Sequence, residues 1–161
     1  MVVSPMTKLD QGTNTEPNIV GFICNWGAYS GMEMAGVNGV EYSASIRLVR
    51  IMCLGRLHLG IVLRAFELGA DGVLLLGCPP EECHYESGAE QAKKMVAQAK
   101  KVLYLLGIDP RRLALAHVPL GRDDVLVRKV STFVNYVKKA GLSPLSSNRL
   151  PTQLVKEMVS C

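Results

Sequence analysis

The sequence predicts an α/β fold built on one parallel sheet, and three observations carry the expectation. Short apolar, β-branched runs recur along the chain, stretches with helical spacing separate them, and three of the runs end at a cysteine. Strands that alternate with helices imply right-handed crossovers, and so a parallel sheet. At 161 residues the chain fits one domain with a real core.

The predicted elements follow in order. Residues 1–17 are polar, carry Pro5, Gly12 and Pro17, and have no periodicity; they read as a flexible arm. Strands are expected at about 19–24, 46–52, 72–77 and 113–118. The Gly-rich stretch Gly27–Gly36 holds at most a short helix. A second helix is expected over Leu57–Leu68, with Ile61, Val62, Ala65 and Phe66 on one side and Gly69 as its stop. The third has the clearest signature: Ser87 and Glu90 fit a capping box, an apolar stripe runs from Ala89 to Leu106, and Gly107 and Pro110 end it. A fourth covers about Asp123–Lys139, with Leu126, Val130, Phe133, Val134 and Val137 inward and Gly141 as terminator. Four strands and four helices, with helices on both faces, fit a flavodoxin-like sheet of order 2-1-3-4. The predicted domain is 18–141, followed by a C-terminal extension over 142–161 that is broken up by Pro144 and Pro151.

Composition narrows the function. Apolar residues make up 48% and charged residues 20%, which argues for a packed globular protein. No apolar stretch reaches the roughly 18–20 residues of a membrane span. Met1–Lys8 lacks the long apolar core of a secretory signal, so a cytoplasmic protein is expected. The net charge of +4 is modest, and Lys93-Lys94, Lys100-Lys101 and Arg111-Arg112 read as solvated helix faces without interleaved aromatics; nucleic-acid binding has little support. There is no G-x-G-x-x-G loop, Walker lysine or Ser/His/Asp set.

The chemistry lies in the thiols. Cys24 closes the first apolar run, Cys53 the second, and Cys78 follows the third; Cys83 completes a C-x4-C pair with Cys78 in the same loop. Ligands of open α/β sheets bind outside the carboxyl ends of the strands, near the point where strand order reverses. Neighbouring strands lie about 5 Å apart, so four thiols there would share one small site. Four thiolates suit a tetrahedral zinc or an iron–sulfur cluster. A thiol–disulfide pair at Cys78 and Cys83 is a weaker reading, because redox motifs favour C-x-x-C. Any one of these cysteines alone would read as core packing. Gly55 and Gly77 would either aim backbone N–H groups at sulfurs or make tight turns; Arg56 would offset a cluster's charge or meet a surface partner. His84 reads as a neighbour of the site and His117 as a satisfied edge histidine; Trp26 and Tyr29 would shield the site, dock a partner or pack. Cys161, in a Ser-containing tail, reads as a bystander.

Ile23-Cys24-Asn25-Trp26, Met52-Cys53-Leu54-Gly55-Arg56, Gly69-Ala-Asp-Gly72-Val and Gly77-Cys78-Pro-Pro-Glu-Glu-Cys83-His84-Tyr85 together resemble the delta subunit of methyl-viologen-reducing hydrogenase. The similarity runs from about 18 to about 141. It implies a [2Fe-2S] cluster on Cys24, Cys53, Cys78 and Cys83. It also implies an accessory electron-transfer role rather than autonomous catalysis, within a hetero-oligomer. The implied partners are a hydrogenase, formate dehydrogenase or other dehydrogenase on one side. On the other is the flavin-containing subunit of an electron-bifurcating, heterodisulfide-reductase-type complex. Three positions depart from the family pattern: Gly27 stands where many members have a second cysteine (C-N-W-C), Leu54 where a serine is expected, and Pro79 where a histidine is common. The alternatives are a structural or zinc-binding interaction module and, behind it, a thiol–disulfide redox protein.

Overall fold

Alternation along the strands decides which helix covers which face. In the computed structural model, which describes residues 16–148, β1 (Ile19–Cys24), β2 (Ile46–Ile51), β3 (Gly72–Gly77) and β4 (Leu113–His117) form one sheet. Its order is β2-β1-β3-β4 and every pairing is parallel, as the sequence predicts. Successive side chains of a strand point to opposite faces. Val73 and Leu75 therefore meet one core with Phe22, Val62, Phe66, Val96 and Leu103, while Leu74 and Leu76 meet the other with Ile19, Ile23, Leu126 and Val130. The first core lies under α2 (Leu59–Glu67) and α3 (Gly88–Leu105), the second under α1 (Ala28–Val37) and α4 (Asp123–Ala140). Each fully buried Leu, Ile or Phe contributes roughly 1.5–3 kcal/mol of transfer free energy.

Several boundaries differ from the sequence reading. β2 stops at Ile51 and β4 at His117, one residue early in each case. The second helix begins at Leu59 because Leu54–Arg56 winds into a separate 3-10 turn that carries the chain away from β2. Ile61, expected inward, is 49% exposed; the apolar side of α2 is narrower than its composition suggests, with Val62 and Phe66 doing the packing. All five residues expected inward on α4 are buried. Gly69, Gly107 and Gly141 take positive φ just past their helices, the conformation that ends a helix without a Cβ penalty.

The capping box at Ser87 does not form. Its side chain makes no cap hydrogen bond, and its backbone (φ −89°, ψ −4°) is already helical.

The domain is closed at its amino-terminal edge, the edge where the strands begin. The fully buried Asp71 accepts the Asn18 N–H at 2.7 Å and the Ser143 N–H at 2.7 Å. The buried Arg112 donates to the carbonyls of Asp71, Ala140, Gly141 and Leu142 at 2.9–3.2 Å, which satisfies the last carbonyls of α4. Of the expected arm over 1–17 and extension over 142–161, residues 1–15 and 149–161, with Cys161, lie outside the described residues. No helix among the described residues is long and apolar enough to cross a membrane.

Candidate metal centre

Strand register sets the spacing of the thiols. Cys24 pairs with Ile51 on one side, and Ile23 pairs with Leu76 on the other. Cys53 therefore stands two residues beyond the β2 partner of Cys24, and Cys78 two beyond the β3 partner of Ile23. Both overhang the carboxyl edge at the level where β1 ends. Cys83 returns to them from a loop that makes a 3-10 turn at Pro80–Glu82 before α3 begins.

All four are free thiols; Cys24, Cys53 and Cys78 are buried and Cys83 is partly exposed. The Cys78 thiol neighbours those of both Cys24 and Cys83. The Cys24 thiol points at the Met52 carbonyl, 3.7 Å away, and the Cys53 sulfur accepts the Gly55 N–H at 3.4 Å. Cys24, Cys53 and Cys78 line a small recess with Leu54, Gly88 and His117, and the free space inside it is about 10 Å³. That is room for about one water, so the thiols themselves fill the site and must part to admit a larger group. Among the described residues, no three His, Cys, Asp or Glu side chains surround a point suited to a bare ion.

The surroundings push these thiols in different directions. Burial raises Cys78 to about 12, reinforced by the adjacent Cys24 and Cys83. Burial also raises Cys53, against the opposing Gly55 amide. At Cys83 burial works upward too, but amides of Tyr85, Ala89 and Gly88 and the Cys78 thiol outweigh it and lower the thiol. A metal that takes these sulfurs as thiolates must displace protons, most of all at Cys78.

The other residues singled out in the sequence divide clearly. His117 is the satisfied histidine at the end of β4 that the sequence suggests: it bonds through Nδ1 to the Cys78 carbonyl at 2.9 Å, and it also lines the recess. Trp26 stacks on His84 with ring centroids 3.8 Å apart, and Tyr85 meets both edge-on. In the chain, His84 and Tyr85 follow Cys83 directly and Trp26 follows Cys24, and all three are exposed. Tyr29 instead carries the Arg50 guanidinium over its ring at 4.6 Å, and Arg56 is exposed on its turn. Gly77 packs against Leu54; a Cβ there would fall 2.8 Å from Leu54 Cδ1. At Gly27 a Cβ would fall 2.9 Å from Cys78 Cβ and 3.2 Å from Cys78 Cα, so the backbone has closed over that position. Sequence reasoning missed Gly88, which touches two of the thiols. The available signal was a glycine at the first position of a long helix, five residues after Cys83.

The donor set fits an iron–sulfur group in number and kind: four thiols, all free, gathered from three adjacent strand ends and one loop. Comparison with known proteins points the same way. A family model described as methyl-viologen-reducing hydrogenase, delta subunit, matches residues 19–141. The D-type iron-sulfur subunit of the F420-non-reducing hydrogenase vhc of Methanococcus voltae is 36% identical over 135 residues, which is 84% of this chain and 94% of that protein. Its vhu counterpart in Methanocaldococcus jannaschii, also named an iron-sulfur subunit, is 34% identical over 132 residues, 82% of this chain and 98% of that protein. The A-type subunit of the ferredoxin:CoB-CoM heterodisulfide reductase of Methanosarcina mazei is 34% identical over 125 residues; these are 78% of this chain but only 16% of that longer protein. With the matched region spanning the whole sheet and all four thiols, the chain belongs to the family of the methyl-viologen-reducing hydrogenase delta subunit.

Proposed function

We propose that this protein is an electron-transfer subunit whose Cys24, Cys53, Cys78 and Cys83 thiolates hold a [2Fe-2S] cluster. It relays electrons between a hydrogenase, formate dehydrogenase or other dehydrogenase and the flavin-containing subunit of a heterodisulfide-reductase-type, electron-bifurcating complex in the cytoplasm. The observation that carries the reading is the convergence of four free thiols on the carboxyl edge of the sheet. The cluster, when bound, accepts and returns one electron at a time. The chain's own residues gather the thiols, exclude water with the flanking Leu54 and aliphatic core, and present Cys83 as the sulfur nearest solvent. Two relatives support the setting: one is named an iron-sulfur subunit of a hydrogenase, and in another the matching region forms part of a heterodisulfide reductase subunit.

Anaerobic purification should give a brown protein with two irons and two acid-labile sulfides per chain. Colourless protein containing zinc would favour the structural module instead. Each Cys→Ser substitution at the four positions should cost more than the roughly 10–100-fold in metal affinity that follows loss of an outer partner. With Gly27 in the place of a second family cysteine, no spare thiol stands beside Cys24. A Cys83→Ser variant that keeps its full iron content would remove that cysteine from the ligand set. The thiol–disulfide reading predicts a different outcome for the same variant, a colourless protein that has lost reductase activity.

A further inference from the structure

The first turn of α3 brings backbone into contact with the thiols. The first four N–H groups of a helix have no partner within it, and here Ser87 leaves them without a side-chain cap. The Cys83 sulfur stands against this turn instead, and the amides of Tyr85, Ala89 and Gly88 hold its thiol down against the effect of burial. This approach requires glycine at 88. A Cβ at Gly88 would lie 2.5 Å from Cys53 Sγ, closer than real Cβ atoms come to any heavy atom outside their own neighbours, and 3.1 Å from Cys83 Sγ. On the other side, a Cβ at Gly55 would lie 2.7 Å from Gly88 Cα and 2.8 Å from its carbonyl oxygen. Two bare backbones are thus pressed together, and each also meets a thiol: Gly55 donates to Cys53, and the turn at Gly88 lies against Cys53 and Cys83.

We propose that Gly88 is a positioning residue of the metal centre: seated against Gly55, it lets the first turn of α3 press on Cys53 and Cys83 so that the helix amides cap the Cys83 sulfur and raise the reduction potential of the bound cluster. The inference rests on the iron–sulfur reading of the four thiols. N–H donors to a ligand sulfur favour the more negative, reduced state, which raises the potential. The positive end of the eighteen-residue α3 acts in the same direction. A purely structural role for Gly88 would change stability and leave the potential where it is.

The experiment uses the full chain, loaded with iron and sulfide under anaerobic conditions, with folding checked by far-UV circular dichroism and the midpoint followed by EPR-monitored redox titration. Ala89→Pro deletes one of the donating N–H groups at the second helical position, where the N–H has no helical partner and proline is compatible with the helix. The expected result, read on the protein that holds iron, is a lower midpoint. Ala89→Gly keeps the N–H and should keep the wild-type midpoint. Gly88→Ala pushes the turn off both sulfurs and should lose iron, or keep it with altered g-values and a lower midpoint. Wild-type midpoint in an iron-loaded Ala89→Pro variant overturns the inference. If that variant does not fold, Gly88→Ala with unchanged iron, g-values and midpoint overturns it equally. An iron-free wild-type chain, seen before any variant is made, instead overturns the reading on which the inference rests.

Discussion

At the amino-terminal edge of the sheet, buried polar groups are closed by short, strong hydrogen bonds. Asp71, Arg112, Asn18 and Ser45 all stand immediately before a strand. Asp71 and Arg112 tie the start of β1, the end of α4 and the segment at Ser143 into one network. At the carboxyl edge of the same sheet four thiols crowd together with contacts of 3.4–3.7 Å to backbone, weak bonds of a poor donor and acceptor. One edge is built from groups whose removal leaves buried backbone carbonyls or amides without partners. The other is built from small apolar-like groups that lose little when packed and gain much when deprotonated onto a metal. Stability and chemistry are thereby separated by the length of a six-residue strand.

The largest test of this separation is Arg112→Met. Removing a buried guanidinium that serves four carbonyls should cost about 1–3 kcal/mol for each carbonyl left buried without a partner, read in urea unfolding. The fraction that folds should take up iron as wild type does; loss of iron binding in folded protein would show that the two edges are coupled. Gly27→Cys acts at the other edge. Its new side chain meets Cys78 backbone, and overpacking there should cost roughly 1–3 kcal/mol. It should not raise the iron content per chain, and a rise would mean that the thiol edge yields more easily than its packing implies. The smallest effect belongs to Asp109, at the start of the 3-10 turn that leads into β4. Hydrogen bonds from the Arg111 side chain and backbone, and from the Tyr136 hydroxyl, hold its carboxyl well below the usual value of 3.8. A carboxylate whose folded-state pKa is depressed contributes stability above about pH 4 and loses it as pH falls further. Asp109 is solvent-accessible, so Asp109→Asn should flatten the acid limb of the stability profile by no more than about 1 kcal/mol. A flattening centred near neutral pH would assign the effect to another group.

Much of the domain is legible in the chain because its signals are local. The run Gly72–Gly77 is apolar throughout and is buried on both faces, and the stripe Leu126, Val130, Phe133, Val134, Val137 repeats at the helical period and is buried in full. Cysteines directly after such runs sit at strand ends in any parallel arrangement, which is why the location of the site can be read before its geometry. Ile61 escapes a sequence reading because periodicity shows which residues share a helix face and not how wide a strip its neighbours cover. Ser87 escapes it because a capping signature competes with whatever else can reach the same amides. Here a sulfur from the preceding loop reaches them first.

By itself, then, the sequence determined the element order, the parallel sheet, and the placing of Cys24, Cys53 and Cys78 at one edge. Each follows from patterns repeated every two or every three to four residues. Only the tertiary structure decided that the thiols leave almost no free space between them and that Gly27 is sealed against Cys78. It alone pressed Gly55 against Gly88 so that a helix begins on a sulfur. Those are contacts between residues far apart in the chain, fixed by how two faces of a sheet and a returning loop pack together. No local pattern encodes a distance between backbones that only packing brings into touch.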